Sequence, residues 1–135
     1  MCGIVGLIRN NFAVEKVELE KMNNTQVHRG PDGEGYYLDN NIGFGHRRLS
    51  IIDIDSGQQP MSTNNNNYWI TYNGELYNYL ELKSELESKG HQFATKSDTE
   101  VVLYAYKEWG KECVNRFRGM FAFAIHDKIN NYVFL

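Results

Sequence analysis

The sequence predicts an α+β fold, because strand-like and helix-like segments both occur and do not alternate strictly as βαβ units. Six segments are rich in Ile, Val, Tyr and Phe and are bounded by Gly or Asn, as strands usually are. These predicted strands cover residues 3–8, 35–39, 42–44, 68–72, 120–125 and 132–135. Asparagine clusters mark the loops between them, since Asn tolerates left-handed backbone and caps turns.

Three helices are predicted. The first covers residues 14–26, where apolar residues recur at helical spacing: Val14, Val17 and Met22. The second covers 79–89 and stops before Gly90, a residue suited to the position after a helix end. The third begins at residues 97–100, which have the pattern of a capping box, and is ended by Gly110.

Composition narrows the class of protein. A chain of 135 residues with 41% hydrophobic content can bury one ordinary core, so a single domain is expected. The net charge of -3 argues against a nucleic-acid partner, which usually requires a clustered basic face. No apolar run approaches the roughly 20 residues that span a bilayer, and the apolar opening segment lacks the charged start of a secretory signal. With only two cysteines, no disulfide framework is expected, and we predict a cytoplasmic protein without a membrane partner.

Cys2 is the first candidate for chemistry. Taken alone, a cysteine on a strand is usually a small buried apolar residue. If Met1 is removed, however, Cys2 carries both a thiol and the α-amine of the chain, whose unperturbed pKa of about 8 makes it a usable base. A nucleophile that uses its own amine as the base is one solution for acyl transfer.

Arg48 and Asp98 are candidates for binding a charged ligand. Arg48 could form an ordinary surface ion pair, or it could clamp a carboxylate through two parallel hydrogen bonds. Asp98 could cap the third helix, or it could hold an ammonium group at the rim of a pocket. The glycine-rich segment 28–35 is a tight turn that could also form a pocket wall.

Asn73 and Gly74 follow the predicted strand 68–72, and Asn-Gly is the strongest short signal for a hairpin turn. The same tight turn would project the Gly74 N–H and the Asn73 side-chain amide toward one point. Two such donors would form an oxyanion hole.

Other chemistries find no support in the sequence. The four histidines are scattered and form no zinc-binding motif, so no metal site is expected. Neither a P-loop nor a GxGxxG motif occurs, so we expect no cofactor in this chain.

The motifs taken in order resemble the glutaminase domain of glutamine-hydrolysing asparagine synthetases, which are class II glutamine amidotransferases. The matching stretches extend over nearly the whole chain: MCGIVGLI, HRGPDGEGYY, FGHRRLSIID, GQQPM, YNGELYNYLEL, FATKSDTEVVLYAY and RFRGMFAFAIHD. The resemblance implies the four-layer αββα sandwich of N-terminal-nucleophile hydrolases. It also implies one amidotransferase domain at 2–135 whose last strands are missing.

The resemblance implies a role for each matching residue. Cys2 matches the nucleophile, and Asn73 and Gly74 match the oxyanion hole. Arg48 matches the residue that binds the α-carboxylate of glutamine. Two acids match those around its α-ammonium group, Glu75 and Asp98, and four residues match the strand that lines the glutamine site: Leu49, Ser50, Ile51 and Ile52.

The expected function is hydrolysis of glutamine, with ammonia passing to a covalently linked synthetase domain that uses ATP and magnesium to make asparagine from aspartate. Two alternatives stay open. The domain could serve another acceptor, such as a sugar or a secondary metabolite, or it could be a non-catalytic interaction domain. A homodimer is also left open.

Overall fold

The computed structural model describes residues 2–49 and 57–135. In these ranges the chain forms seven strands: β1 (Gly3–Ile8), β2 (Gly33–Asp39), β3 (Ile42–Arg48), β4 (Met61–Ser62), β5 (Tyr68–Leu76), β6 (Gly119–Asp127) and β7 (Tyr132–Phe134). It forms three α-helices, α1 (Lys16–Asn24), α2 (Tyr79–Ser88) and α3 (Asp98–Trp109), and two 3-10 segments, Val27–Arg29 and Gly110–Arg116.

Two antiparallel sheets organise the fold. The first sheet has the order β1-β3-β2, and the second has the order β4-β5-β6-β7. Three apolar clusters fill the spaces between layers. One joins α1 to the first sheet and includes Val5 and Leu19. Another lies between the sheets, where Tyr37 stacks on Trp69 with 4.2 Å between the ring centroids. The largest joins the second sheet to α2 and α3.

Helix, sheet, sheet and helix therefore form four layers, as the resemblance implied. The predicted elements are confirmed, but several strands are longer than expected. β2 begins at Gly33, β3 continues to Arg48 and β5 continues to Leu76. The two-residue strand β4 was not predicted, because so short a segment has no measurable alternation.

The predicted face of the first helix was wrong. Val14 is buried but precedes the helix, while Val17 and Met22 are exposed. The residues that face the first sheet are Leu19 and Asn23, four positions apart. Asn23 was overlooked because it is polar; its Nδ2 donates to the carbonyl of His46 at 3.2 Å, which allows it to be buried.

Candidate active site

A cleft of about 230 Å³ opens where the start of β1, the end of β3, the second half of β5 and the start of α3 meet. Seven of the ten predicted site residues line it: Cys2, Arg48, Leu49, Asn73, Gly74, Glu75 and Asp98. The other three, Ser50, Ile51 and Ile52, lie outside the described residues. Residues that are far apart in sequence thus meet in one place.

Cys2 is half-buried and directly precedes β1. Its Sγ accepts a hydrogen bond from the Leu49 N–H at 3.4 Å and lies 3.7 Å from the Leu49 carbonyl, to which the thiol can donate. The Cys2 carbonyl accepts from Nε of Arg29 at 3.2 Å. Sequence reasoning missed Arg29, although it lies in the glycine-rich segment that was expected to wall a pocket.

Arg48 ends β3, and the alternation of side chains along the strand separates it from Arg47. Arg47 forms an ion pair with Glu34 at 2.8 Å. Gly30 fixes this part of β3, because a Cβ atom at position 30 would lie 2.4–2.6 Å from the backbone of Arg47 and Arg48. Arg48 itself lines the cleft.

The Asn-Gly pair does not form the predicted hairpin turn. Asn73 lies opposite Ala122 and Gly74 opposite Phe121, because β5 pairs with β6 along its whole length. This long ladder overrides the local turn preference of Asn-Gly. Gly74 is required for another reason: a Cβ atom there would lie 2.5 Å from the carbonyl oxygen of Met120.

The outer edge of β5, away from β6, carries the N–H groups of alternate residues. The Tyr72 N–H donates outward to Oε1 of Gln59 at 2.6 Å, and the Leu76 N–H donates outward to Oδ2 of Asp98 at 3.0 Å. Gly74 lies midway between these two residues, so its N–H points to the same edge. The outward donor that was expected from a turn is thus supplied by a strand edge.

The side chain of Asn73 points toward the layer that contains Cys2. Alternate residues of a strand lie on the same face of the sheet, so Trp69 and Thr71 share the face of Asn73. Thr71 Oγ1 donates to the Gly45 carbonyl at 3.3 Å, and Trp69 stacks on Tyr37, so this face is turned toward the first sheet. Asn73 and the neighbouring Gly74 N–H therefore present polar groups to one cleft.

Asp98 is not the cap of α3, because Ser97 occupies that position and its side chain accepts from the Thr99 N–H at 3.2 Å. Asp98 is the first helical residue and is 8% exposed. Its Oδ2 accepts from the Tyr72 hydroxyl at 3.0 Å as well as from Leu76. Burial and the adjacent Asp98 carboxylate raise the pKa of Tyr72 above its ordinary value, so the hydroxyl stays a donor.

The expected capping box is only half formed. Instead of reaching back to Ser97, the Glu100 carboxylate accepts from the N–H groups of Ala94 and Thr95 at 2.9 and 2.7 Å. These bonds hold the loop before α3 against the helix and thereby fix the position of Asp98.

His46 and Gln59 also line the cleft, and sequence reasoning missed both. His46 is 1% exposed, and burial lowers its pKa to about 4. It is therefore neutral at physiological pH. The only signal for Gln59 was its place in the GQQPM stretch of the resemblance.

The second cysteine differs from the first. Cys113 is completely buried, and burial raises the pKa of its thiol to about 12. Within residues 2–49 and 57–135, no cluster of three metal-ligating side chains occurs. Nor does any helix in the described part of the chain have the length and hydropathy to cross a membrane.

Comparison with solved structures identifies the fold as that of the N-terminal-nucleophile amidotransferases. The glutamine phosphoribosylpyrophosphate amidotransferase of Bacillus subtilis superposes with a TM-score of 0.72 at 22% identity, over 95% of this chain and 35% of that one. A structure described as the allosteric regulatory enzyme of purine biosynthesis gives a TM-score of 0.53 at 28% identity, over 67% of this chain and 22% of that one.

The chain belongs to the glutamine amidotransferase domain family, whose profile matches residues 1–135. It is 49% identical to asparagine synthetase (glutamine-hydrolysing) 1 of Bacillus subtilis, over 98% of this chain and 22% of that protein. It is 39% identical to asparagine synthetase B of Escherichia coli, over 94% of this chain and 23% of that protein. The chain thus spans about a fifth of the length of these relatives.

Proposed function

We propose that this chain is a glutaminase domain, which hydrolyses glutamine to glutamate and ammonia with Cys2 as the nucleophile after removal of Met1. One observation carries the proposal: the Cys2 thiol shares a cleft with the outward strand edge at Gly74 and with two groups of opposite charge, Arg48 and Asp98. Free glutamine has a carboxylate, an ammonium group and an amide, and this set of groups complements all three.

Substrate recognition follows from the charges. The planar guanidinium of Arg48 binds the α-carboxylate through parallel hydrogen bonds. Asp98 and Glu75 bind the α-ammonium group. The N–H of Leu76 and the hydroxyl of Tyr72 both donate to Oδ2 of Asp98 and thereby orient its carboxylate in the cleft. In this proposal Leu49, which lines the cleft, forms part of the wall along the substrate.

The chemistry begins when the α-amine of Cys2 takes the thiol proton and Sγ attacks the side-chain amide carbon. A carbon–sulfur bond forms, and the carbonyl oxygen becomes an oxyanion held by the Asn73 side chain and the Gly74 N–H. The carbon–nitrogen bond then breaks, and the proton passes from the amine to the leaving ammonia. Water attacks the thioester, which yields glutamate and restores the thiol. Each oxyanion donor contributes about 3–4 kcal/mol by analogy with other hydrolases.

For the whole protein, we propose that a covalently linked synthetase domain receives the ammonia and uses ATP and magnesium to convert aspartate to asparagine. The names and lengths of the relatives support this proposal. An acceptor other than aspartate would be chosen by that second domain, so the glutaminase chemistry is the same in either case. The two free cysteines suit a cytoplasmic location.

Replacement of the nucleophile tests the proposal. The Cys2→Ala variant of the purified protein should lose glutaminase activity by more than about 10³-fold, because the proposed thioester forms on the Cys2 thiol. In a form that carries the proposed synthetase domain, the same variant should still use free ammonia. A variant that keeps its glutaminase activity would refute the mechanism, and an intact protein that releases no glutamate would favour the non-catalytic alternative.

A further inference from the structure

The outer edge of β5 loses its strand partner just before the site. β4 pairs with β5 at Met61 opposite Ile70. Two residues further along each strand, the same register would place residue 59 opposite Tyr72. The backbone pairing of β4 with β5 ends at Met61, however, so the ladder does not continue to residue 59. The peptide groups of Tyr72 therefore need other partners.

Two side chains supply those partners. Oε1 of Gln59 accepts from the Tyr72 N–H at 2.6 Å, and Nε2 of His46 lies 3.2 Å from the Tyr72 carbonyl. Because His46 is buried and neutral, it carries the Nε2 proton that this bond to a carbonyl requires. The carbonyl of Tyr72 belongs to the same planar peptide group as the N–H of Asn73.

Gln59 is itself held in place from two sides. Its Nε2 donates to Oγ1 of Thr99 in the first turn of α3 at 3.3 Å. Its backbone lies so close to β2 that a Cβ atom at Gly35 would come within 1.9 Å of the Gln59 carbonyl oxygen. The side chain therefore connects β5, α3 and β2 directly beside the cleft.

We propose that Gln59 and His46 are positioning residues, which replace the missing strand partner of β5 at Tyr72 and thereby fix Asn73 and Gly74 for the reaction. This inference rests on the proposed function of Asn73 and Gly74. Neither side chain needs to touch the substrate, since each acts through the backbone of Tyr72. A displacement of about 1 Å of catalytic groups is enough to lower a rate about 100-fold.

Amide hydrogen exchange, followed residue by residue, tests the contact without reference to activity. In Gln59→Leu the Tyr72 N–H loses its acceptor and should exchange at least about tenfold faster. Gln59→Glu keeps an acceptor oxygen and should restore slow exchange. The control is Gln58→Leu, which changes the exposed neighbour and should leave Tyr72 unaffected. Unchanged exchange of Tyr72 in Gln59→Leu would overturn the inference.

Kinetics then test the positioning role. Gln59→Leu should lower kcat for glutamine hydrolysis by about 10- to 100-fold with KM changed less than about threefold, and Gln59→Glu should recover most of the loss. His46→Leu should behave like Gln59→Leu, whereas His46→Gln keeps an amide donor and should be milder. Equal kcat values for Gln59→Leu and wild type would overturn the inference while leaving the proposed function intact.

A gentler variant covers the case in which Gln59→Leu does not fold. Thr99→Val removes only the hydroxyl that holds the far end of the Gln59 side chain. It should accelerate Tyr72 exchange and lower kcat by about two- to tenfold. No change in either quantity would overturn the inference. Wild-type protein without glutaminase activity would instead refute the proposed function.

Discussion

The two halves of β5 have the same partner on one side and different partners on the other. From Tyr68 to Ile70 the strand lies between β4 and β6, and from Tyr72 to Leu76 it keeps β6 while side chains replace β4. Ile70 in the first half packs in the core. In the second half Tyr72 and Leu76 also pack in the core, whereas Asn73, Gly74 and Glu75 line the cleft. An unpaired strand edge is usually a liability. In the proposed mechanism, the strand edge at Gly74 becomes the place where a substrate oxygen binds.

The largest expected effect comes from comparing one substitution in each half of β5. Asn73→Ala should lower kcat for glutamine hydrolysis by about 10²- to 10³-fold and leave the free energy of unfolding nearly unchanged, because Asn73 is half-exposed. Ile70→Ala should lower the free energy of unfolding by about 2–5 kcal/mol, because Ile70 is fully buried. Steady-state kinetics and urea unfolding of both variants measure these effects. If Asn73→Ala destabilised the fold as much as Ile70→Ala, the two halves would not differ in role.

The free energy of unfolding should fall at acid pH, because protonation of His46 is unfavourable in the buried site where it bonds β3 to β5. Burial lowers the pKa of His46 to about 4, and the charge of Arg48 acts in the same direction, whereas an unfolded histidine has a pKa of about 6.5. Between these values the unfolded chain binds a proton that the folded chain does not, so stability falls as the pH is lowered from about 6.5 to about 4. The contribution of His46 reaches up to about 3 kcal/mol. Burial also lowers the pKa of His126, which adds to the loss with the same sign.

Urea unfolding at a series of pH values checks this prediction. His46→Gln cannot be protonated in this range, so its stability should decline less steeply than that of the wild type. Identical slopes for the two proteins would show that His46 does not remain neutral in the folded state.

Arg47 and Arg48 are adjacent on β3, but only Arg48 lines the cleft, so the two residues should differ in their effect on glutamine binding. Arg48→Lys should raise KM for glutamine by about 10- to 100-fold, because an ammonium group cannot form the parallel bonds of a guanidinium. Arg47→Lys should leave KM nearly unchanged, because Arg47 is paired with Glu34 outside the cleft. Similar KM values for the two variants would contradict the assignment of the carboxylate to Arg48.

The smallest expected effect concerns two glycines of β2. A Cβ atom at Gly35 would meet the Gln59 carbonyl at 1.9 Å, whereas one at Gly33 would find its nearest neighbour at 3.9 Å. Gly35→Ala should therefore lower the free energy of unfolding by about 1–3 kcal/mol, and Gly33→Ala should change it by less than about 0.5 kcal/mol. Thermal unfolding of the pair measures the difference. Equal midpoints would mean that β2 does not support Gln59.

Local pattern was sufficient to predict most of the fold. β1 was predicted with its observed bounds, because an apolar run begins at Gly3 and ends at Ile8. The C-terminal end of α3 was also predicted, because a glycine often follows the end of a helix. In the structure Gly110 has a φ of 59°, a backbone conformation that favours glycine. The continuation of β5 through Asn73 and Gly74 could not be predicted, because it depends on the distant partner β6.

The same distinction holds for the site. Charged residues in ordered motifs indicated Arg48 and Asp98, and a thiol near the N-terminus indicated Cys2. Arg29, His46 and Gln59 each contact a backbone carbonyl or N–H group. Every residue has the same backbone groups, so a contact with the backbone cannot be predicted from residue types. These three residues could be identified only from the positions of the strands in the structure.

The two cysteines provide the most direct test of the account. Cys2 is half-buried in the cleft and Cys113 is buried in the core, so Cys113 serves as an internal control. The purified protein would be treated with 6-diazo-5-oxo-L-norleucine, a glutamine analogue with a reactive diazoketone, and analysed by intact mass and peptide mapping. We expect a chain without Met1 that carries a single adduct at Cys2, with labelling slowed by glutamine. A folded protein that retains Met1, or one in which Cys2 stays unlabelled, would contradict the account.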